Sequence, residues 1–164
     1  MKKSLILLLF ILTTLSSLGQ SSNQDALFSA IRDNNLALIT SVLQLDSQLI
    51  NAPMHVDQFM SDVKKYPIHE ALKMSNRETI SHLLTLGADP TKNLYRSAIL
   101  SGTNTSSLEI LVEYRELKLI KQFIHQLKPG IEAYTAALEW SANNQEEEKV
   151  RFLLIQGEKI LLGG

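Results

Sequence analysis

Residues 66–90 read YPIHEALKMSNRETISHLLTLGADP, and their apolar spacing predicts two short helices joined by a turn. Apolar or small residues recur at i, i+3, i+4 and i+7, at Ile68, Ala71, Leu72 and Ser75 and again at Ile80, Leu83, Leu84 and Gly87. This spacing places each set on one face of a helix. Ser75-Asn76 supplies turn and N-cap chemistry, and Gly87 supplies the left-handed residue that commonly ends a helix. We therefore expect a helix pair whose core includes Leu83 and Leu84.

The same stretch resembles a known repeat. Tyr66–Ala71 reads closely against the Thr-Pro-Leu-His-x-Ala signature of the ankyrin repeat, a helix pair of about 33 residues. The likeness continues at Leu83-Leu84 and at Gly87–Pro90, with the proline and the glycine separated as in the ankyrin consensus. The resemblance implies a stack of helix pairs that binds other proteins through finger loops and inner helices. It also implies a structural role for His69, which would hydrogen-bond to backbone between neighbouring repeats.

The same apolar register occurs near both ends of the chain. Toward the N-terminus it predicts a helix pair over Asp25–Asp33 and Leu36–Leu45, with Asn34-Asn35 as the turn. Toward the C-terminus, Tyr134–Ser141 and Val150–Gly157 repeat it across a longer turn. The expected fold class is all-α: an ankyrin-like solenoid of about four stacked helix pairs, irregular in the third.

The stretch between residues 91 and 130 fits the repeat least well. Residues 95–99 predict an inner helix, and residues 108–112 predict its outer partner. A further amphipathic pattern over residues 117–127 predicts an additional helix whose layer the sequence leaves open. The connection over residues 89–98 is too short for a full ankyrin finger.

Residues 52–65 form an insertion that is several residues longer than an ankyrin finger needs. Insertions in repeat proteins usually lie in loops on one face, often the binding face. A hydrophobic flap folded onto its own stack is the alternative, and the sequence does not choose between the two. The candidate partner-binding residues are Met54, His55, Val56, Phe59 and Met60 in the insertion and Glu70, Lys73 and Met74 on the inner helix of the best repeat.

The first 19 residues have the order of a signal peptide. The basic start Met1–Lys3 precedes an apolar run through Leu15, and small residues precede Gln20. The run is shorter than the ~20 apolar residues that a spanning helix needs. We expect cleavage near Gly19-Gln20, export to the periplasm or the medium of a bacterium, and no stable membrane span after cleavage. An uncleaved N-terminal anchor is the alternative; the ankyrin-repeat domain would occupy residues 20–164.

Composition and charge exclude several classes of site. The chain has no cysteine, which excludes disulfides, thiolate metal sites and a cysteine nucleophile. Its 16 basic and 17 acidic residues give a net charge of −1 without a basic stripe, which argues against nucleic acid as a partner. No phosphate-binding loop, dinucleotide fingerprint or His-x-x-x-His pair occurs in the sequence. We therefore expect no catalytic residue, no cofactor and no metal ligand.

These features favour a non-catalytic protein–protein interaction module. Its partner would be an unidentified protein, and inhibition or toxin neutralisation is one form that such binding takes. Two alternatives stay open from the sequence. His55 and Asp57 in the 52–65 insertion would serve a metal-dependent envelope enzyme, and the apolar C-terminal residues 159–164 would serve a self-assembling structural protein. The oligomeric state is left open.

Overall fold

The structure is a computed structural model that describes residues 23–58, 61–98 and 101–162. In chain order its elements are α1 (residues 23–32), α2 (Leu36–Leu45), the 3-10 helix η1 (Ser47–Asn51), β1 (Met54–Gln58), β2 (Ser61–Lys65), α3 (Pro67–Met74), α4 (Arg77–Thr85), β3 (Leu94–Ala98), β4 (Ser101–Thr105), α5 (Ser107–Tyr114), α6 (Leu117–Leu127), α7 (Ile131–Asn143) and α8 (Glu147–Leu161). The signal peptide expected over residues 1–19 lies outside the described residues. The chain is mostly helical, so the all-α expectation holds roughly, but a small antiparallel sheet adds to it.

Consecutive helices form pairs. The first helices of the pairs stand in one row, which we call the inner row, and their partners are the outer helices. Short turns join α1 to α2, α3 to α4, α5 to α6 and α7 to α8. Along the row, α3 packs on α5 and α5 packs on α7. Apolar side chains of all the pairs meet in one buried core. Among the described residues, the largest fully buried side chains are Phe28, Phe123, Leu27, Ile31, Ile39, Leu49, Ile68, Leu72, Ile80, Leu83, Leu108 and Leu111.

Two β-hairpins project from the junctions between the first three pairs. β1 pairs with β2, β3 pairs with β4, and β2 pairs with β3, which gives an antiparallel sheet of order β1-β2-β3-β4. The 52–65 insertion is therefore a hairpin and not an irregular loop. The connection after residue 89 is also longer than expected, because it continues through β3 and β4 to Thr105.

The structure corrects the assignment of residues 91–130. Residues 95–99, predicted as an inner helix, fall largely in β3, whose register is fixed by its pairing with β2 and β4. Residues 108–112, predicted as an outer helix, belong to α5 in the inner row. Residues 117–127 form α6, the outer partner of α5, so no additional helix is present in this described stretch.

The helix pairs expected elsewhere lie close to their predicted positions. α2 has the predicted bounds, α3 and α4 match the best repeat, and α7 and α8 cover the two C-terminal segments. Four residues of the predicted apolar faces differ from expectation: Leu84, Leu138 and Val150 are only partly buried, and Leu154 on α8 is 53% exposed. Leu153, its neighbour, faces the core with 2% exposure.

Side chains from later elements complete the carbonyl ends of the inner helices. The last turn of any α-helix leaves four carbonyls without helical partners. Ser75 at the end of α3 donates its hydroxyl to the carbonyl of Ile31 in α1 (2.7 Å). Lys149 in the first turn of α8 donates its ammonium to the carbonyl of Val112 in α5 (3.0 Å) and is buried. Each contact ties one pair to a later pair.

Arg115 makes the largest contact of this kind. It follows α5, and its guanidinium donates to three carbonyls at the end of α3, those of Ala71 (3.2 Å), Leu72 and Ser75 (2.6 Å). Burial lowers the pKa of Arg115 from its usual range, but a guanidinium stays protonated in proteins. A positive charge at a helix C-terminus is stabilising, because it opposes the partial negative charge of the exposed carbonyls.

Two asparagines link consecutive pairs near their turns. The side-chain oxygen of Asn34, in the turn after α1, accepts from the backbone N–H of Asn76 (2.7 Å) and the hydroxyl of Thr79 (3.0 Å). The amide of Asn51, at the end of η1, donates to the carbonyl of Gly87 (3.0 Å) and accepts from the N–H of Asp89 (2.8 Å). These contacts satisfy backbone groups that the turns leave unpaired.

A helix that spans a membrane needs about 20 predominantly apolar residues. Among the residues that the structure describes, none of the helices combines the length and the apolar character needed to cross a bilayer.

Candidate functional site

An open cleft of about 190 Å³ lies between the sheet and the inner row of helices. The hairpins form one wall, and the exposed ends of α3 and α5 form the other. The cleft is lined by Val56, Val63, Lys65, His69, Glu70, Lys73, Leu94, Thr105, Ile110, Glu113 and Tyr114. Three of the residues predicted to bind a partner, namely Val56, Glu70 and Lys73, therefore line this cleft.

Glu70 forms ion pairs with two basic side chains of the protein at the floor of the cleft. It is 7% exposed, and its two carboxylate oxygens contact Nη1 of Arg32 (3.1 Å) and Nζ of Lys65 (3.0 Å). Lys65 also lies over the ring of Phe28, with Nζ 5.2 Å from its centroid. The cluster joins α1, β2 and α3, so Glu70 presents little of itself to a partner.

The rim of the cleft is formed by side chains that remain exposed. Nζ of Lys73 lies 4.5 Å from the centroid of the Tyr114 ring, which is 41% exposed. Met74, the next residue of α3, is 52% exposed. A cation held over an aromatic ring and a flexible methionine give a surface of mixed polarity. Sequence reasoning missed Tyr114, because residues 108–112 were assigned to the outer row.

The hairpin residues separate into the cleft wall and the outer edge. Val56 pairs with Val63 in register, and both line the cleft. Met54 is partly buried, whereas His55 is exposed, with Nδ1 3.6 Å from Oδ1 of Asp62. Two of the predicted partner-binding residues, Phe59 and Met60, lie outside the described residues. The side chain of Asp57 is also outside them.

Both ring nitrogens of His69 form hydrogen bonds with backbone groups. Nδ1 accepts from the N–H of Tyr66 (3.3 Å), so the proton is on Nε2, which donates to the carbonyl of Lys92 (2.8 Å). The ring thus connects the start of α3 with the segment that leads into β3, as the resemblance implied. Burial lowers the pKa of His69 from its usual value near 6.5 to about 4, against a smaller opposite effect of the bond to Lys92.

Acidification is expected to destabilise the fold through His69. The native ring stays neutral down to a pH near 4, whereas an unfolded chain takes up the proton near pH 6.5. The contribution to stability is thus complete above the unfolded pKa and is lost as the pH falls. Between about pH 7.5 and about pH 4.5, linkage gives a loss of roughly 2–3 kcal/mol in the free energy of unfolding.

The pH effect can be isolated by urea unfolding of two histidine variants. His69→Gln should lose this part of the pH dependence, since glutamine does not titrate. His125→Gln replaces an exposed histidine on α6 and should keep the wild-type dependence. Equal pH dependence in wild type and His69→Gln would contradict the assignment.

The ionisable side chains of the described residues do not form a metal-binding group. Among the side chains that the structure describes, which leave out Asp57, no three of His, Cys, Asp or Glu converge. Among the described side chains, Asp62 is the acidic group that lies close to His55.

No protein-family model matches the chain, and no curated protein matches it at a significant level.

Proposed function

We propose that this protein is a non-catalytic protein-binding module with an ankyrin-like solenoid of four helix pairs. Three observations support the fold part of the proposal: the inner row of α1, α3, α5 and α7, the outer partner that follows each of them, and the hairpins between the first three pairs. The signature-like stretch at Tyr66–Ala71 begins α3, and His69 makes the backbone contacts that the resemblance implies.

The observation that carries the binding function is that the buried groups of the cleft are paired within the protein, whereas those on its rim are exposed. The ionisable groups at its floor, Glu70 and His69, are occupied by internal partners. Lys73 and Tyr114 on its rim are exposed and differ in chemistry, and Met74, next to Lys73 in the sequence, is exposed too. A concave surface with a fixed floor and an adaptable rim suits recognition of another protein, since aromatic residues often contribute much of the binding energy. An inhibitor or a toxin-neutralising protein would bind in this way.

The proposed setting is the bacterial envelope or the secreted fraction. It rests on the order of residues 1–19 alone. Sequencing the N-terminus of the protein recovered from the envelope tests it: a start at Gln20 supports export with cleavage, and a start at Met1 contradicts cleavage.

Capture of a partner from the envelope fraction tests the binding surface. The wild-type chain should retain a specific protein, and the double variant Lys73→Glu with Tyr114→Ala should retain at least ~10-fold less, since loss of hot-spot contacts typically costs more than 1 kcal/mol each. Both residues are exposed, so the fold should survive the change.

The matched control is Lys118→Glu, which makes the same charge change on the outer helix α6, away from the cleft. It should retain the partner as well as wild type does. Equal capture by the cleft variant would remove the cleft as the binding surface, and absence of any specific partner would count against the module itself. Deleting the 53–64 hairpin is not a suitable test, because β2 is an internal strand of the sheet and Val63 is buried.

A further inference from the structure

The sheet ends at β4, whose second edge has no neighbouring strand among the described residues. An edge strand presents backbone donors and acceptors that can pair with another chain. The register of β3 with β4 determines which residues present them. Ala98 lies opposite Ser101, next to the two-residue connection, and Arg96 lies opposite Thr103.

Gly102 and Asn104 direct their backbone groups away from the sheet. In antiparallel pairs, hydrogen-bonded and non-hydrogen-bonded positions alternate, and the pair that closes a two-residue connection is hydrogen-bonded. Ser101, Thr103 and Thr105 therefore bond to β3. The N–H and C=O groups of the two residues between them face outward, and Asn104 makes no further backbone bond within the described chain.

Within residues 23–58, 61–98 and 101–162, no further strand covers this edge. Hairpins stand between pairs one and two and between pairs two and three, whereas residues 128–130 alone connect α6 to α7. The position that a third hairpin would fill next to β4 is vacant in the described structure. Thr103 and Asn104 are exposed there.

The opposite edge of the sheet is protected by contrast. Pro53 immediately precedes β1, and the side-chain amide of Gln24 donates to the carbonyls of Pro53 (2.9 Å) and Ala52 (3.5 Å). His55 and Asp57 add ionisable residues to β1. Proline and charges are the usual protection of edge strands against pairing. β4 reads Ser-Gly-Thr-Asn-Thr and has neither.

We propose that β4 pairs with β4 of a second copy of this chain, so that two sheets join into one across a twofold axis. In the register centred on Thr103, each Gly102 lies opposite the partner copy's Asn104, and their outward groups form four backbone hydrogen bonds. Thr103 lies opposite itself, a favourable pairing of two uncharged β-branched residues. Because β4 carries no charge, the two copies meet without the like-charge repulsion that would oppose self-pairing. The protected β1 edge keeps the assembly closed at two copies.

Sedimentation velocity tests the proposal on the protein expressed from its full sequence. A five-residue strand pair is smaller than a standard interface, so the transition from one chain to two should fall between about 10 μM and about 1 mM. A wild-type protein that stays monomeric throughout this range would overturn the proposal and leave the edge to an extended segment of another protein.

Charged substitutions of Thr103, which lies on the twofold axis, test whether β4 is the edge that pairs. Thr103→Lys and Thr103→Glu each place like charges directly opposite, so each variant alone should remain monomeric, with unchanged helical circular dichroism. An equal mixture of the two should recover the dimer, because opposite charges then face each other. A dimer that Thr103→Lys leaves intact would place the contact elsewhere, such as the apolar groove between α7 and α8 near Leu154, and would overturn the proposal. Failure of the mixture to dimerise would overturn the register.

Discussion

Replacing Leu83 with alanine is expected to lower the free energy of unfolding by roughly 2–5 kcal/mol, the usual cost of truncating a buried leucine. Leu83 is fully buried in α4 and belongs to the common core. The cost combines the lost burial of the side chain with the cavity left among neighbours that relax only partly. Urea unfolding followed by circular dichroism measures it.

Leu84→Ala provides the matched control on the next residue of the same helix. Leu84 is partly exposed and packs at the margin of the core, so its truncation should cost clearly less. The two changes alter helix propensity equally. A loss for Leu83→Ala below about 0.5 kcal/mol, which is typical of ordinary surface sites, would contradict the register of α4.

Arg115→Met is expected to cost roughly 2–4 kcal/mol, because hydrogen bonds to charged groups are worth more than neutral ones and removing the donor leaves partly buried carbonyls unpaired. The carbonyls left unpaired are those of Leu72 and Ser75 at the end of α3, whereas the carbonyl of Ala71 keeps its bond from the N–H of Ser75. Methionine keeps much of the apolar length of arginine, so the change mainly removes the donors and the charge. Urea unfolding of the variant measures the loss.

Arg151→Met makes the same substitution where arginine has no such role. The Arg151 side chain is 81% exposed, and its contact with Glu147 is 4.0 Å long. Its loss should therefore change the free energy of unfolding by less than about 0.5 kcal/mol. Arg115→Lys should fall between wild type and Arg115→Met, because an ammonium keeps the charge without the planar fork. Equal stability of Arg115→Met and Arg151→Met would show that the capping contacts contribute nothing.

The sequence predicts the helix pairs whose signals are local. The spacing of Ile68, Ala71 and Leu72 depends only on the helix that contains them, and the core of α3 agrees with it. The same reasoning locates α2 and the two C-terminal helices. Periodicity does not fix which residue of an apolar face points outward at the end of the stack. Leu154 is exposed on α8, on which no later helix pair packs within the described residues.

The third pair was misassigned because a short strand can imitate a helix turn. Residues 95–99 have helical spacing over less than two turns, but β2 and β4 pair with that segment, and the pairing is a tertiary effect. A local signal for the true helix start is present in the sequence. Ser106 and Glu109 form a capping box, in which each side chain bonds to the other residue's backbone N–H. This motif indicates that a helix begins at residue 107.

The sequence does not predict the side-chain contacts between different helix pairs. Glu70 was predicted to bind a partner because it lies on an inner helix, but Arg32 and Lys65 come from α1 and β2 and bury its carboxylate. The capping contacts of Ser75, Arg115 and Lys149 likewise depend on which helix ends meet. From the sequence, a basic residue that follows a helix does not indicate which helix supplies the carbonyls to which it donates.

The direction of these capping contacts has a consequence for a chain emerging from the ribosome. In each case the donor follows the carbonyl that it completes, by 37 to 44 residues. The carbonyl end of an inner helix therefore stays uncompleted until at least the inner helix of the following pair has been synthesised. Stability is expected to rise in steps, one pair behind synthesis, and a truncation at the C-terminus should weaken the pair that it spares as well as remove the pair that it deletes.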